Sequence, residues 1–466
     1  MFNIKNTKLW NRFSNANPQY FCLAAALGME FLLMALRGYG FYFVENYIIV
    51  PTMLFIGFAF GQQITSAARR QLLLPIAAIC WFFVTQTLHY AMDMEVRNLG
   101  LFTSVYLLAY LFASFTQDGK KQWGLKMAAA ACIGAALVLT LFAGLLALDL
   151  LPGFLKPHVY WDGARLQAMW HPNICAIILM MGMAFCLVLF SECKHKWFKG
   201  LSLAGAVLFF LVMALTNSRT SILMASCIIA GFLFFCIWNG SWKRFIVGIV
   251  IALVTIALLF SAAKTIFQAH NNALITGYIE QAEKSASQAE DTVESIPDAT
   301  QPQIYTDPYS GKLVLVTDAA QTNAPGNILS LNGRTTIWQT AFRCLQENST
   351  ILLVGCDYSE YLFEIYHHFP AAHAHNAWIE TLICLGLPGL LFALVFTGIA
   401  AWHIWVTFWG STSLGQKIIA MLVLVLMGAS ILEPYLFFTD IFYHYTDFIF
   451  FLCLGYLIQW RSEKTM

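Results

Sequence analysis

The sequence predicts an all-α polytopic membrane protein. Three observations carry that expectation: the composition, the recurrence of long apolar runs, and the sorting of basic residues between them. Of 466 residues, 59% are hydrophobic and 11% charged, with a mean hydropathy of +0.66. A soluble chain carries about 25% charged residues, so a soluble multidomain enzyme is excluded. The 39 Phe, 14 Trp and 18 Tyr suit a chain dissolved in lipid, with aromatic rings also at the interfaces. A net charge of +1 excludes a basic nucleic-acid binder and an acidic solvating tail.

Runs long enough to cross a bilayer as helices, about 20 residues, fall near 20–36, 41–60, 72–91, 99–116, 126–148, 173–190, 198–215, 221–238, 245–262, 375–398, 418–433 and 441–460. They predict twelve transmembrane helices. The short polar head before the first run shows no small-residue cleavage pattern, so that run reads as a retained span. With the N-terminus cytoplasmic, the inner segments hold sixteen of the 26 Lys and Arg. The short outer loops hold only Arg37, Arg97, Lys156, Arg165 and Arg219. This asymmetry predicts that both termini are cytoplasmic.

Three regions follow: helices 1–9 in 1–262, an extracytoplasmic loop in 263–374, and helices 10–12 in 375–466. The loop carries twelve acids against five basic residues. Its part 280–330 is rich in Ala, Gln, Thr, Ser and Asp and reads as a flexible insertion. Its part 333–368 reads as amphipathic helices. Ile337, Trp338, Ala341, Phe342 and Leu345 recur at helical spacing behind Asn332 or Thr335 as a cap, and Tyr358, Tyr361, Leu362, Ile365 and Tyr366 share a second face. Most of the 12 cysteines lie in apolar runs as small hydrophobes. Cys344 and Cys356 lie in the polar loop, and whether they form a disulfide is open.

Four clusters of polar residues stand at the predicted outer ends of spans. Arg165 precedes His171-Pro172-Asn173, which reads either as a helix start or as part of a site. Asn217-Ser218-Arg219-Thr220-Ser221 occupies a very short loop. It is either a capping turn with a snorkelling Arg or an anion grip, in which Ser218 would bind substrate beside Arg219. Gly333-Arg334 opens the amphipathic helix, with Trp338 four residues on. A cation is disfavoured at a helix N-terminus unless an anion is held there. His373-Ala374-His375-Asn376 leads into Gly386-Leu387-Pro388-Gly389. A neutral imidazole is suited to general-base work. A zinc site reads less well, because no acid or cysteine stands at a helical ligand spacing. Glu433, in Leu432-Glu433-Pro434, either orients a substrate hydroxyl or caps a helix.

The order, spacing and sidedness of these motifs over about 160–395 resemble the O-antigen ligase and O-antigen polymerase superfamily of bacterial membrane glycosyltransferases. The resemblance implies a type-C fold and a metal-independent, inverting transfer of glycan from undecaprenyl diphosphate to an acceptor hydroxyl. The acceptor would be a glycan or a lipid-linked sugar at the outer side of the inner membrane, in cell-surface polysaccharide biosynthesis such as that of lipopolysaccharide. It further implies that Arg165, Arg219 and Arg334 hold the diphosphate. His375 would be the base and Asn376 would orient it. His373 is the alternative that could share or replace that role, His375 being favoured because it directly precedes Asn376. His373 and Trp338 are candidate substrate contacts. No cofactor or metal is implied. The stretch from Arg165 to Asn173 lacks the glycine usual in the family.

The chemistry agrees with these residues. A polyprenyl diphosphate is already a good leaving group and needs cationic stabilisation of the departing oxygen. Buried arginines at a lipid interface in turn need an anionic partner. A transporter or flippase for an anionic lipid-linked glycan is the alternative. It would place polar groups and broken helices near the bilayer midplane, where this sequence has chiefly Glu30 and Glu45.

Overall fold

The computed structural model describes residues 121–156, 159–162, 164–168, 171–238, 240–289, 303–306, 313–316, 334–347, 349–356, 374–433, 436 and 444–464, with scattered positions between 74 and 88. The expected spans at 20–36, 41–60 and 99–116 lie outside these residues. So do most of 72–91, the amphipathic stretch at 358–368, and His373.

The chain is helical wherever the apolar runs are long. Helices α1 (Lys121–Ala147), α2 (Pro172–Glu192), α3 (Lys196–Leu215), α4 (Arg219–Ile237) and α5 (Trp242–Ala289) precede the polar loop. Helices α6 (Arg334–Glu347) and α7 (Ser349–Val354) lie within it, and α8 (Ala377–Gly410), α9 (Leu414–Ala429) and α10 (His444–Lys464) follow. Among the described residues, six helices are long and apolar enough to cross a membrane: α1, α2, α3, α4, α5 and α8. Helix α9 and the Tyr445–Ile458 part of α10 are shorter apolar helices.

Helix α2 is the centre of the bundle. It is apolar on every face, as a helix with no solvent or lipid side must be, and it is buried at nearly every position from Pro172 to Val188. It packs against α1, α3, α4 and α9. Gly182 allows a close approach to α1, because a Cβ there would lie 2.4 Å from Ala136. Small residues at such crossings let helices gain dispersion contacts in lipid, where no hydrophobic effect drives them together. By contrast α5 packs on α4 and α3 and leaves Ile246, Val250, Leu253 and Leu258 exposed, as a lipid-facing helix does.

Helix α5 departs from expectation. The expected boundary between span and loop at 262 does not interrupt it, and the helix continues to Ala289. Residues 263–289 contain no proline and are rich in Ala, Gln, Glu and Lys, which propagate a helix once the apolar part has nucleated it. The expected flexible insertion at 280–330 thus begins as helix. It also carries a two-stranded antiparallel ladder, β3 (Gln303–Thr306) with β4 (Leu313–Val316), built from residues of high strand propensity.

Helix α8 is broken at Gly386, whose φ is 67°. A Cβ at Gly386 would lie 2.2 Å from the Leu353 carbonyl oxygen, and one at Gly355 (φ 79°) would lie 2.2 Å from the Cys384 carbonyl oxygen. The two glycines therefore allow the end of α7 to dock backbone to backbone on the break. The Cys356 amide donates to the Ile383 carbonyl at 2.8 Å, and the Trp81 indole donates to the Leu385 carbonyl at 3.1 Å. Carbonyls near the break thus acquire partners from outside the helix, which is how a broken helix is tolerated in lipid. The Gly-Leu-Pro-Gly motif accounts for this: Gly386 supplies the conformation and Pro388 removes a donor.

Candidate functional site

Three parts of the chain meet at one end of the bundle. The first is a hairpin ahead of α2, made of β1 (Val159–Asp162) and β2 (Arg165–Ala168), with Asp162 directly opposite Arg165. From this turn Arg165 reaches the α3–α4 corner. Its Nε donates to the Thr216 carbonyl at 3.0 Å and its Nη2 to Asn173 Oδ1 at 3.2 Å. Burial pulls the Arg165 guanidinium below its ordinary pKa. Asp162 and Glu433 oppose that shift, and the like charge of Arg219 adds to it. His171 caps α2, its Nδ1 accepting from the Asn173 amide at 3.3 Å. Burial, and then Arg165, push this imidazole below its ordinary value, with His375 acting in the same direction. His171 is therefore neutral at pH 7, with its proton on Nε2.

The second part is the α3–α4 corner. Asn217 has φ 52°, a conformation that Asn tolerates better than most residues. Arg219 is the first residue of α4. Ser218, expected beside it as a substrate contact, is buried, and its hydroxyl donates to Ser221 Oγ at 3.1 Å. That bond closes the corner from within.

The third part joins α6, the start of α8 and the turn after α9. Arg334 and Trp338 stand on one face of α6, one turn apart. The Trp338 indole donates to the Ala374 carbonyl at 2.8 Å, so Trp338 holds the histidine segment from one side. From the other side Glu380 Oε2 accepts from the Ala374 amide at 2.7 Å. The remaining apolar face of α6 packs Ala341, Cys344 and Leu345 with Ile351, Cys356 and Ile383. Cys344 and Cys356 are both free thiols. Burial raises Cys344 to about 11, so it is a thiol at neutral pH and packs as a small hydrophobe.

His375 has φ 50°, a region uncommon for a residue with a side chain and frequent at functional sites. It is held there by stitches to the turn after α9. The Ala377 amide donates to the Ser430 carbonyl at 2.8 Å, and Asn376 Nδ2 to the Ile431 carbonyl at 2.9 Å. Asn376 departs from its expected role of orienting the imidazole. Its Oδ1 accepts from the Trp378 and Ile379 amides at 2.9 and 3.0 Å, which makes it the N-cap of α8. Its Oδ1 and one Nδ2 proton are thereby bonded to backbone groups on both sides of the histidine turn.

The group that meets the imidazole is Glu433. Its side chain is 3% exposed. Oε1 accepts from Arg334 Nη2 at 2.5 Å, and Oε2 lies 3.3 Å from His375 Nδ1. Glu433 was expected to orient a substrate hydroxyl or cap a helix; instead it bridges the arginine and the histidine. His375 remains 35% exposed and Arg334 19% exposed, so both keep a face toward the open end of the site.

Arg165, Arg219, Arg334 and His375 are thus gathered at one end of the bundle, although they span more than two hundred positions in the chain. Sequence reasoning missed Asp162 and did not foresee the Glu433 bridge. For Asp162 a signal existed, since Asp-Gly between two short strand-like runs marks a hairpin. For the bridge there was none beyond a lone acid after an apolar run. Among the described residues no three His, Cys, Asp or Glu side chains converge as metal ligands.

Residues 204–394 match the family model described as O-Antigen ligase. The match begins within α3 and ends within α8, so it contains Arg219, Arg334, Trp338, His375 and Asn376. Arg165 and Glu433 lie on either side of it. No curated protein matches the chain.

Proposed function

We propose, from the premise that residues 204–394 form an O-antigen ligase region in a multi-pass membrane protein, that the chain is a metal-independent, inverting glycosyltransferase. Its donor is a glycan on undecaprenyl diphosphate, and its acceptor is a hydroxyl of a glycan or lipid-linked sugar. The site opens to the outer side of the bacterial inner membrane, and both termini are cytoplasmic. The observation that carries this reading is the convergence of one half-exposed histidine and three arginines at a single end of the bundle.

In the reaction the acceptor oxygen forms a bond to the anomeric carbon as the bond from that carbon to the diphosphate oxygen breaks. The acceptor proton passes to His375, and the electron pair of the broken bond leaves with the diphosphate. Arg219 and Arg334 stabilise the charge developing on that oxygen, as preorganised cations in a partly water-excluded site do. Arg165 contributes at longer range, because two of its donors are committed to Thr216 and Asn173. A base in this position is worth about 10²–10⁴ in rate.

The flippase reading draws less support. It asks for polar groups at mid-depth along the spans, whereas these side chains gather at the helix ends. The test is purified protein supplied with undecaprenyl-diphosphate glycan and candidate acceptors. The expected result is transfer that survives EDTA, is lost in His375→Ala, and falls sharply in Arg219→Ala and Arg334→Ala. Full activity in His375→Ala removes the base assignment, and EDTA sensitivity removes metal independence. Translocation of the lipid in vesicles without transfer favours the flippase. A ladder of growing repeats identifies a polymerase, and a single transfer of preformed chain identifies a ligase.

A further inference from the structure

Glu433 holds two groups that the reaction uses for different purposes. Arg334 belongs to the leaving group and His375 to the acceptor. One carboxylate, buried to 3% exposure, accepts from the first through Oε1 and faces the second through Oε2. The bridge is rigid at both ends. The Glu433 amide donates to the Ala429 carbonyl at 3.0 Å at the end of α9, and the preceding turn is stitched to 376–377 through the Ser430 and Ile431 carbonyls.

Two consequences follow from elementary chemistry. A carboxylate at Nδ1 requires the proton there, which makes Nε2 the basic nitrogen of His375. A carboxylate shared between a guanidinium and an imidazole also divides its charge between them. When a diphosphate draws the guanidinium away, the carboxylate favours the imidazolium more strongly. Resting on the reading of His375 as base, we propose that Glu433 is a positioning residue coupling donor binding to base strength. It sets the His375 tautomer, and it yields Arg334 to the diphosphate, so that the base strengthens only when a leaving group is in place. The reaction order implied is donor first and acceptor second. An idle site, with Arg334 still on the carboxylate, keeps a weaker base and transfers poorly to water.

Among the described residues, Arg165 and His171 both feel the charge of Glu433, and His171 also that of His375, while Asp162 and Arg219 face Arg165. Glu380, near the start of α8, holds the Ala374 amide beside the histidine. Glu433 is the group that meets both Arg334 and His375. Glu433→Gln keeps the shape and removes the charge. Its amide can accept from Arg334 or from His375, but it cannot accept from both in the native geometry.

The experiment compares the full-length wild type, Glu433→Gln, Glu433→Asp and His375→Ala in the purified transfer assay, with kcat and donor KM measured across pH. For Glu433→Gln the expected result is a kcat lower by roughly 100-fold, a donor KM unchanged or lower because Arg334 is released, and the acid limb of kcat displaced to lower pH. Glu433→Asp, a charged but shorter carboxylate, should recover part of kcat and restore the acid limb. A purely structural role would lower the amount of folded protein and leave the pH profile of the remainder in place, which overturns the proposal. So does a wild-type kcat and profile in Glu433→Gln. If that variant does not fold, the wild type carries the test: donor binding should move the acid limb of kcat above that of kcat/KM for the donor, and limbs at the same pH overturn the proposal as well. Activity surviving in His375→Ala removes the base reading instead, so the two failures are distinguishable.

Discussion

The two ends of the helix bundle handle buried and interfacial charge in opposite ways. At the end opposite the site, Lys417 lies over aromatic faces, with its Nζ 4.9 Å from the Phe235 ring centroid and 5.6 Å from that of Trp238. Trp238 in turn packs edge-on to Trp409 at 4.9 Å. Glu192 is spent on a helix start, its Oε1 accepting from Ser413 Oγ at 2.7 Å and the Gly415 amide at 3.2 Å. These two charges have tolerant partners, because a ring face or a capping amide suits a range of positions. At the site end Arg334, His375 and Glu433 are locked by direct, directional contacts, and Arg165 is bonded to a backbone carbonyl and a carboxamide. The opposite end anchors the bundle with interactions that survive small displacements. The site end fixes atoms relative to one another, as the proposed transfer requires.

This contrast can be broken or sharpened by substitution, with the largest effect at the backbone beneath the site. Gly386→Ala puts a Cβ against the Leu353 carbonyl at a positive φ. It should cost more than about 3 kcal/mol and remove both detergent-stable protein and transfer, followed by thermal unfolding on size exclusion. A well-folded, active Gly386→Ala protein would mean that the α7–α8 docking is not needed. Arg334→Lys keeps the charge but loses the planar fork that spans carboxylate and phosphate. Transfer should fall by about 10- to 100-fold with little change in unfolding temperature; a wild-type rate would reduce Arg334 to a point charge.

Asn376→Ala removes the cap of α8 and the bond to Ile431. It should lower stability by about 1 kcal/mol and the rate by about tenfold through a loosened His375, both readable in the same assays. A rate loss with no stability change would return Asn376 to its expected role beside the imidazole. At the far end, Lys417→Met should leave transfer unchanged and cost at most about 1 kcal/mol. A loss of activity there would show that the two ends are coupled.

Much of this arrangement was legible in the order of residues. The helices α2, α3, α4, α8 and α9 begin and end within a few positions of their apolar runs, or extend past them, because long lipid-compatible stretches have few other stable conformations. Arg165, Arg219, Arg334 and His375 stood out because each is polar chemistry at a helix end where the basic-residue asymmetry disfavours a cation. The length of α5 was not legible. An Ala- and Gln-rich polar stretch suits either a loose segment or a helix, and the apolar helix already growing beneath it decided the matter. The hairpin carrying Arg165 was missed for a related reason, since two four-residue strands fall below the length at which periodicity separates strand from loop.

By itself, then, the sequence determined the solvent of this protein, the helical class and the polar side chains that stand at the helix ends. These follow from hydropathy, charge sorting and functional-group identity, which are properties of residues one at a time. The tertiary structure decided which groups touch. It made Asn376 the cap of α8, bonded Ser218 to Ser221 and Trp338 to the Ala374 carbonyl, and set Glu433 between Arg334 and His375. Contacts between residues dozens of positions apart depend on where the packed helices bring their ends, and no local pattern encodes that distance.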